Sequence, residues 1–150
     1  MNKIKQELYE SCDQYLEDRM QRIRAAMNDL ENDLENETKS SAGDKYETGR
    51  EMINLEWNKL SGQLQQFKML KETLKNVKRR NASDEIQLGS LVKTNMANYF
   101  IAIPAGQIKV AGETYFSIGV GSPIAQLLLH KKAGEDFRFN GKINQIISVE

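Results

Sequence analysis

The sequence predicts an α+β fold: an N-terminal antiparallel helical hairpin, a coiled coil, followed by a small antiparallel sheet domain carrying one short helix. Three observations predict it. Residues 1–80 contain only three glycines (Gly43, Gly49, Gly62) and no proline, whereas residues 81–150 contain seven glycines and both prolines, Pro104 and Pro123. Apolar residues in the first segment recur every three or four positions, the period of one helix face. In the second they form short runs separated by turn residues, the pattern of strands. With 150 residues the chain can make one ordinary domain or two small ones. The change of composition sets the division at a hairpin over 1–80 and a sheet domain over 81–150.

The first helix is expected from Lys3 to about Asn36, with Ile4, Leu8, Cys12, Leu16, Met20, Ile23, Met27, Leu30 and Leu34 on its apolar face. The second is expected from Lys45 to Arg79. From Ile53 through Trp57, Leu60, Leu64, Phe67, Leu70 or Lys71, Leu74 and Val77 it approaches the 4-3 alternation of a coiled-coil seam. Two such helices joined by one short polar turn, Thr38–Gly43, should fold back on each other. At 1.5 Å per residue, an arm of ~34 residues is about 50 Å long.

Within residues 81–150, strands are expected at Ser90–Lys93, Tyr99–Ile103, Gln107–Val110, Thr114–Val120, Asp136–Phe139 and Lys142–Val149. Asn140-Gly141 is a strong type I′ hairpin signal, and Ala111-Gly112 marks another turn. Ser122-Pro123 ahead of Ile124–Leu129 reads as a short helix, with Ser122 at the N-cap and Pro123 in the first turn.

Charge narrows the function classes. Lys plus Arg and Asp plus Glu both number 21, so a general basic coat for nucleic acid is absent. The neutral total conceals a polarity along the helices. Residues 29–51 hold eight acids against three bases, a net −5, and residues 68–80 hold six bases against one acid, a net +5. Like charges gathered at a hairpin end repel one another, and that cost suggests a use, such as meeting metal ions or a basic channel. Cys12 and His130 are each the only residue of their kind. No disulfide within the chain, Cys-based zinc site or His-rich metal site can form, and His130 reads as a surface or capping residue. The N-terminal stretch has no secretory signal and no apolar run approaches a membrane span, so a cytoplasmic location is expected.

No nucleotide-binding loop is present, since Gly112 and Gly119-Val120-Gly121 lack the phosphate-loop lysine and the strand–loop–helix context, and no nucleophile–base pair is evident. The suggestive cluster is Asp44-Lys45-Tyr46-Glu47 at the hairpin end. Three residues apart on a helix, Asp44 and Glu47 face the same way, and two adjacent carboxylates form a partial shell for Mg²⁺ shared with phosphates. The same spacing is also a capping box, with Asp44 accepting from the Glu47 amide. The two readings are compatible.

In the C-terminal half, Gly89-Ser90-Leu91-Val92, Ser117-Ile118-Gly119-Val120-Gly121-Ser122-Pro123-Ile124-Ala125, Leu127–Lys131, Phe137–Ile143 and Ile146–Glu150 resemble the Gre-type bacterial transcription elongation (transcript cleavage) factors. The helical half is similar mainly in length, periodicity and the position of its acidic end. The resemblance implies a C-terminal domain similar to FK506-binding proteins and a partner, RNA polymerase. It implies that this domain docks at the polymerase secondary channel, with Ser122, Pro123 and Ile124 as the docking segment. The coiled coil would enter the channel and bring Asp44 and Glu47 to the active centre. There they would help to hold the polymerase's Mg²⁺ and stimulate cleavage of backtracked RNA, with Glu37 as a further candidate acid. On this reading the chain is a monomeric accessory factor and not itself an enzyme. It binds no cofactor alone and meets nucleic acid only within the elongation complex.

The end of the hairpin departs from the family pattern. Asp44-Lys45-Tyr46-Glu47-Thr48-Gly49 keeps the Asp-x-x-Glu-x-small frame but lacks the family's Asn. A second register, aligned on Tyr46 and Arg50-Glu51, puts Lys39 and Ala42 where the family's acids belong and implies a channel-binding regulator that does not cleave. Two rivals come from other classes. One is a peptidyl-prolyl isomerase, implied by the fold alone, for which the sequence offers no obvious aromatic-lined pocket. The other is a coiled-coil adaptor, which predicts stable oligomers.

Overall fold

The computed structural model describes the backbone of residues 2–40 and 43–150 and the side chains of residues 2–36 and 47–150. Two long helices, α1 (Lys3–Ser40) and α2 (Gly43–Arg79), precede β1 (Leu91–Thr94), β2 (Asn98–Ala102), β3 (Gly106–Val110), β4 (Glu113–Gly119), α3 (Pro123–Leu128), β5 (Asp136–Phe139) and β6 (Lys142–Val149). The architecture is α+β, as predicted. It divides into two compact units, Met1–Tyr15 with Lys71–Glu150, and Leu16–Leu70.

In the Leu16–Leu70 unit the two helices lie side by side. Leu16, Met20 and Ile23 are buried on α1. On α2, Ile53, Trp57, Leu60, Leu64 and Phe67 are half-buried between exposed neighbours and Leu70 is half-buried, so the 4-3 seam is realised. The expected turn is corrected. Thr38, Lys39 and Ser40 belong to α1 and Gly43 begins α2. Nothing in Glu37-Thr38-Lys39 stops a helix, since neither Pro nor Gly occurs before Gly43. Ser41 and Ala42 lie outside the described residues.

The other unit is a three-layer structure built on a six-stranded sheet, order β3-β4-β2-β1-β6-β5. One face packs against the start of α1 and the end of α2. Leu91 pairs with Phe100, and Phe100 with Ser117, so these side chains share a face with Tyr115. All four are 2% exposed or less. Leu8 and Cys12 of α1 and Leu74 and Val77 of α2 are buried in this unit, and Cys12 Sγ lies 3.2 Å from Ser117 Oγ. The opposite face carries a second core, Ile86, Val92, Ile101, Ala125, Leu128, Phe137 and Ile146, closed by α3. The start of α1 is capped by Asn2, whose Oδ1 accepts from the Lys5 amide at 2.7 Å.

One pairing departs from the antiparallel expectation: β2 and β4 run parallel, with Asn98 opposite Tyr115 and Ala102 opposite Gly119. Because β3 and β4 form a hairpin, one of them must lie beside β2. Strand β4 has apolar residues on both faces, whereas β3 exposes Gly106, Gln107 and Lys109. The strand with two faces to bury takes the interior and β3 becomes the edge.

Candidate functional site

The acidic end of the hairpin belongs to the Leu16–Leu70 unit. Helix α2 begins at Gly43, so Asp44 lies within its first turn and Glu47 three residues further along. That spacing puts the two residues on one side of the helix. Glu47 is exposed. The side chains of Asp44 and Glu37 lie outside those described, and with them the capping bond expected from Asp44. The surrounding acids Asp29, Glu31, Asp33, Glu35 and Glu51 are all exposed. Among the described residues, no three His, Cys, Asp or Glu side chains are grouped to hold a metal ion.

The segment expected to dock is an ordered turn and helix start. Ser122 is the N-cap of α3, in extended conformation (φ −68°, ψ 151°), with Pro123 in the first turn. Its Oγ accepts from the Ala125 amide at 3.3 Å, and its own amide donates to the Gly119 carbonyl at 3.1 Å. Gln126 Nε2 closes the turn on the Val120 carbonyl at 2.5 Å. Ile124 is half-buried against the second core. The Ser122 hydroxyl is therefore engaged in capping, and the surface left outward is apolar. Pro123 is exposed, Val120 is 39% exposed and Leu127 is 38% exposed. Pro123 and Leu127 stand one helical turn apart on the same side of α3. Sequence reasoning named Pro123 and missed Val120 and Leu127. The signal was present: a Val between two glycines, and a Leu four residues after the Pro.

The strand region also holds what the sequence did not reveal, an aromatic-lined groove. Tyr99, Phe137 and Phe139, with Met96, line a groove of about 220 Å³ rimmed by Asn140, Lys142 and Asn144. The rings of Tyr99 and Phe116 meet in a tilted contact, with centres 6.2 Å apart and planes 38° apart. The aromatics of the groove come from β2 and β5, far apart in the chain.

Three further placements complete the chemistry. The phenol of Tyr115 donates to Glu113 Oε2 at 2.8 Å, and Lys93 Nζ lies 3.4 Å from the same oxygen. Burial, then the Glu113 carboxylate, pushes the Tyr115 pKa up to about 12, while the bond from Tyr115, together with Lys93, holds Glu113 below the usual carboxylate range. Among the bases at the end of α2, Lys71 pairs with Asp13 at 3.9 Å, Lys75 pairs with Glu72 at 3.1 Å and Lys78 sits 5.4 Å from the centre of the Tyr9 ring. His130 is exposed with φ 71°, its amide donating to the Ile86 carbonyl at 2.8 Å. It ends α3 as a capping-type residue. No helix of the described residues is long and apolar enough to cross a membrane.

No family model matches the chain, and no curated protein matches it significantly.

Proposed function

We propose that this chain is a Gre-like transcription elongation factor of the cytoplasm. It binds RNA polymerase, inserts its helical hairpin into the secondary channel and stimulates cleavage of backtracked RNA. The observation that carries this reading is the acidic end on a pair of very long helices. Helices of 38 and 37 residues are each about 55 Å long at 1.5 Å per residue. Two residues separate them, and the Asp44–Glu47 pair lies in the opening turns of the second. The Ser122-Pro123 cap supports the reading further, since it falls within the segment that resembles the family most closely.

On this proposal the chain is an accessory factor and not an enzyme. The Mg²⁺ of the polymerase active centre supplies Lewis-acid activation of the water and of the scissile phosphate. Asp44 and Glu47 add negative charge and oxygen ligands beside it, and the Val120, Pro123 and Leu127 surface meets the channel rim.

The test is a backtracked elongation complex of the cognate polymerase with Mg²⁺ and RNA labelled so that 3′ shortening is visible. The proposal expects shortening accelerated by the factor and reduced at least about tenfold by Asp44→Ala or Glu47→Ala, in line with loss of one electrostatic contact to a transition state. Glu47 is exposed, so its replacement should leave stability within about 0.5 kcal/mol. Binding without shortening would replace the proposal by the non-cleaving regulator that the Arg50-Glu51 register favours. Absence of both would remove the polymerase. The groove of Tyr99, Phe137 and Phe139 favours a second reading, a peptidyl-prolyl isomerase, which a proline-peptide isomerisation assay addresses directly.

A further inference from the structure

A groove of about 200 Å³ runs between the two helices, lined by Leu30, Glu31 and Leu34 of α1 and Ile53, Asn54 and Trp57 of α2. It lies wholly within the Leu16–Leu70 unit. Its floor is apolar and its rims, Glu31 and Asn54, are polar. A helix pair with no third layer leaves such a seam half-covered: Leu30, Leu34, Ile53 and Trp57 are all half-buried, in contrast to the fully buried Leu8 and Cys12 on the same helix face nearer the N-terminus.

Size and charge select the occupant. Ligand and cofactor pockets run to about 300–1,000 Å³, so this groove suits the anchor of a larger body, a single large apolar side chain. The helix segments flanking it, 29–36 and 47–59, hold seven acids against Arg50 and Lys59, a net −5, and all seven acids are exposed. A field of that sign repels nucleic acid and anionic lipid and attracts a cationic partner. We infer that the groove docks a basic protein segment, one large apolar side chain of which packs against Trp57 while its Lys or Arg residues face Glu31 and the neighbouring acids. This inference does not rest on the transcription reading: apart from the charge of Glu47, it concerns the side of the hairpin and not the Asp44–Glu47 pair.

Trp57 is the only tryptophan, so its emission reports on the groove directly. The intact protein is titrated with a short amphipathic lysine–leucine peptide, with polylysine and a glutamate–leucine peptide as controls. The expected result is a saturable blue shift with the lysine–leucine peptide alone. It should weaken with added salt and weaken about tenfold in Glu31→Lys, the scale of reversing one charge in a docked contact. Asn54→Lys, on the opposite rim, should weaken it likewise. Both positions are exposed, and unchanged helical circular dichroism would show that each variant is folded. No shift, an equal shift with the glutamate–leucine peptide, or an equal shift with polylysine would overturn the inference. A blue shift on concentrating the protein alone would also overturn it, by showing that a second copy fills the groove.

Discussion

Gly62 stands in the interior of α2 with exposed surroundings, and a Cβ built on it meets nothing within 4 Å. It lies between the seam residues Leu60 and Leu64 but off their face, so it makes no packing contribution that a methyl group would disturb. Glycine inside a helix costs about 0.8–1.0 kcal/mol relative to alanine, because the unfolded chain has more freedom to lose. With no steric term to set against this, Gly62→Ala should stabilise the Leu16–Leu70 unit by about that amount. For a chain of this size, ~1 kcal/mol corresponds to about 2–4 °C in Tm. Urea unfolding followed by Trp57 emission reads the same unit, and the midpoint should rise with the slope unchanged. Loss of stability, or no change, would show that α2 does not run unbroken through residue 62 in solution, and the long continuous helix on which the proposed function depends would have to be abandoned.

Other consequences are equally direct. Ala111 adopts φ 52° in the turn between Val110 and Glu113, a conformation that costs a residue with a Cβ about 1 kcal/mol; Ala111→Asn should recover about 0.5 kcal/mol or more, read by thermal denaturation. The Ser117 hydroxyl donates to the Ile103 carbonyl at 2.6 Å, which leaves the Cys12 thiol as donor to Ser117; Ser117→Ala should destabilise by about 1–2 kcal/mol, softened because the Ala105 amide also reaches that carbonyl. Burial pushes the Cys12 thiol up, so a thiol reagent should modify it in denaturant and scarcely at all in the folded protein. Folding raises the Tyr115 pKa from 10.0 to about 12. The stability linked to it is therefore complete below the unfolded value and is lost as pH climbs from about 10 towards about 12. Burial also raises Tyr9 and Tyr99, so an ultraviolet titration should show several late tyrosines with Tyr115 the last, and that last step should move downwards in Glu113→Gln.

Some of this was legible in the sequence because the determinant is local. Asn140 and Gly141 take φ 53° and 76° between the paired Phe139 and Lys142, as a two-residue type I′ turn requires. Ser122 caps α3 by a bond across three residues. The spacing of Asp44 and Glu47 likewise follows from the helix period, whereas on the proposed function what their carboxylates meet belongs to another molecule. The sheet order was not legible, because a strand's alternation says which residues share a face and not which strand lies beside it. The Ala111-Gly112 turn pairs β3 with β4 in either of two placements, and the choice is made by burial: Tyr115 and Ser117 on one face and Phe116 and Ile118 on the other make β4 the strand with two faces to cover.

The helix seam shows the same limit from the other side. Its period is as regular at Leu30 and Leu34 as at Leu8 and Cys12, yet Leu8 and Cys12 are completely buried and Leu30 and Leu34 are not. Periodicity names the face that seeks cover, and the cover itself comes from elsewhere in the chain. For Leu8, Cys12, Leu74 and Val77 it is the face of the sheet that carries Leu91, Phe100, Tyr115 and Ser117, a third layer that completes the core. Around Leu30, Leu34, Ile53 and Trp57 each helix has only the other, so Trp57 and Ile53 keep part of their apolar surface in water. At about 25 cal/mol per Å² of apolar surface, that exposure withholds stability from the unit whose acidic end is proposed to act. The same surface is free energy still available to a partner that covers it.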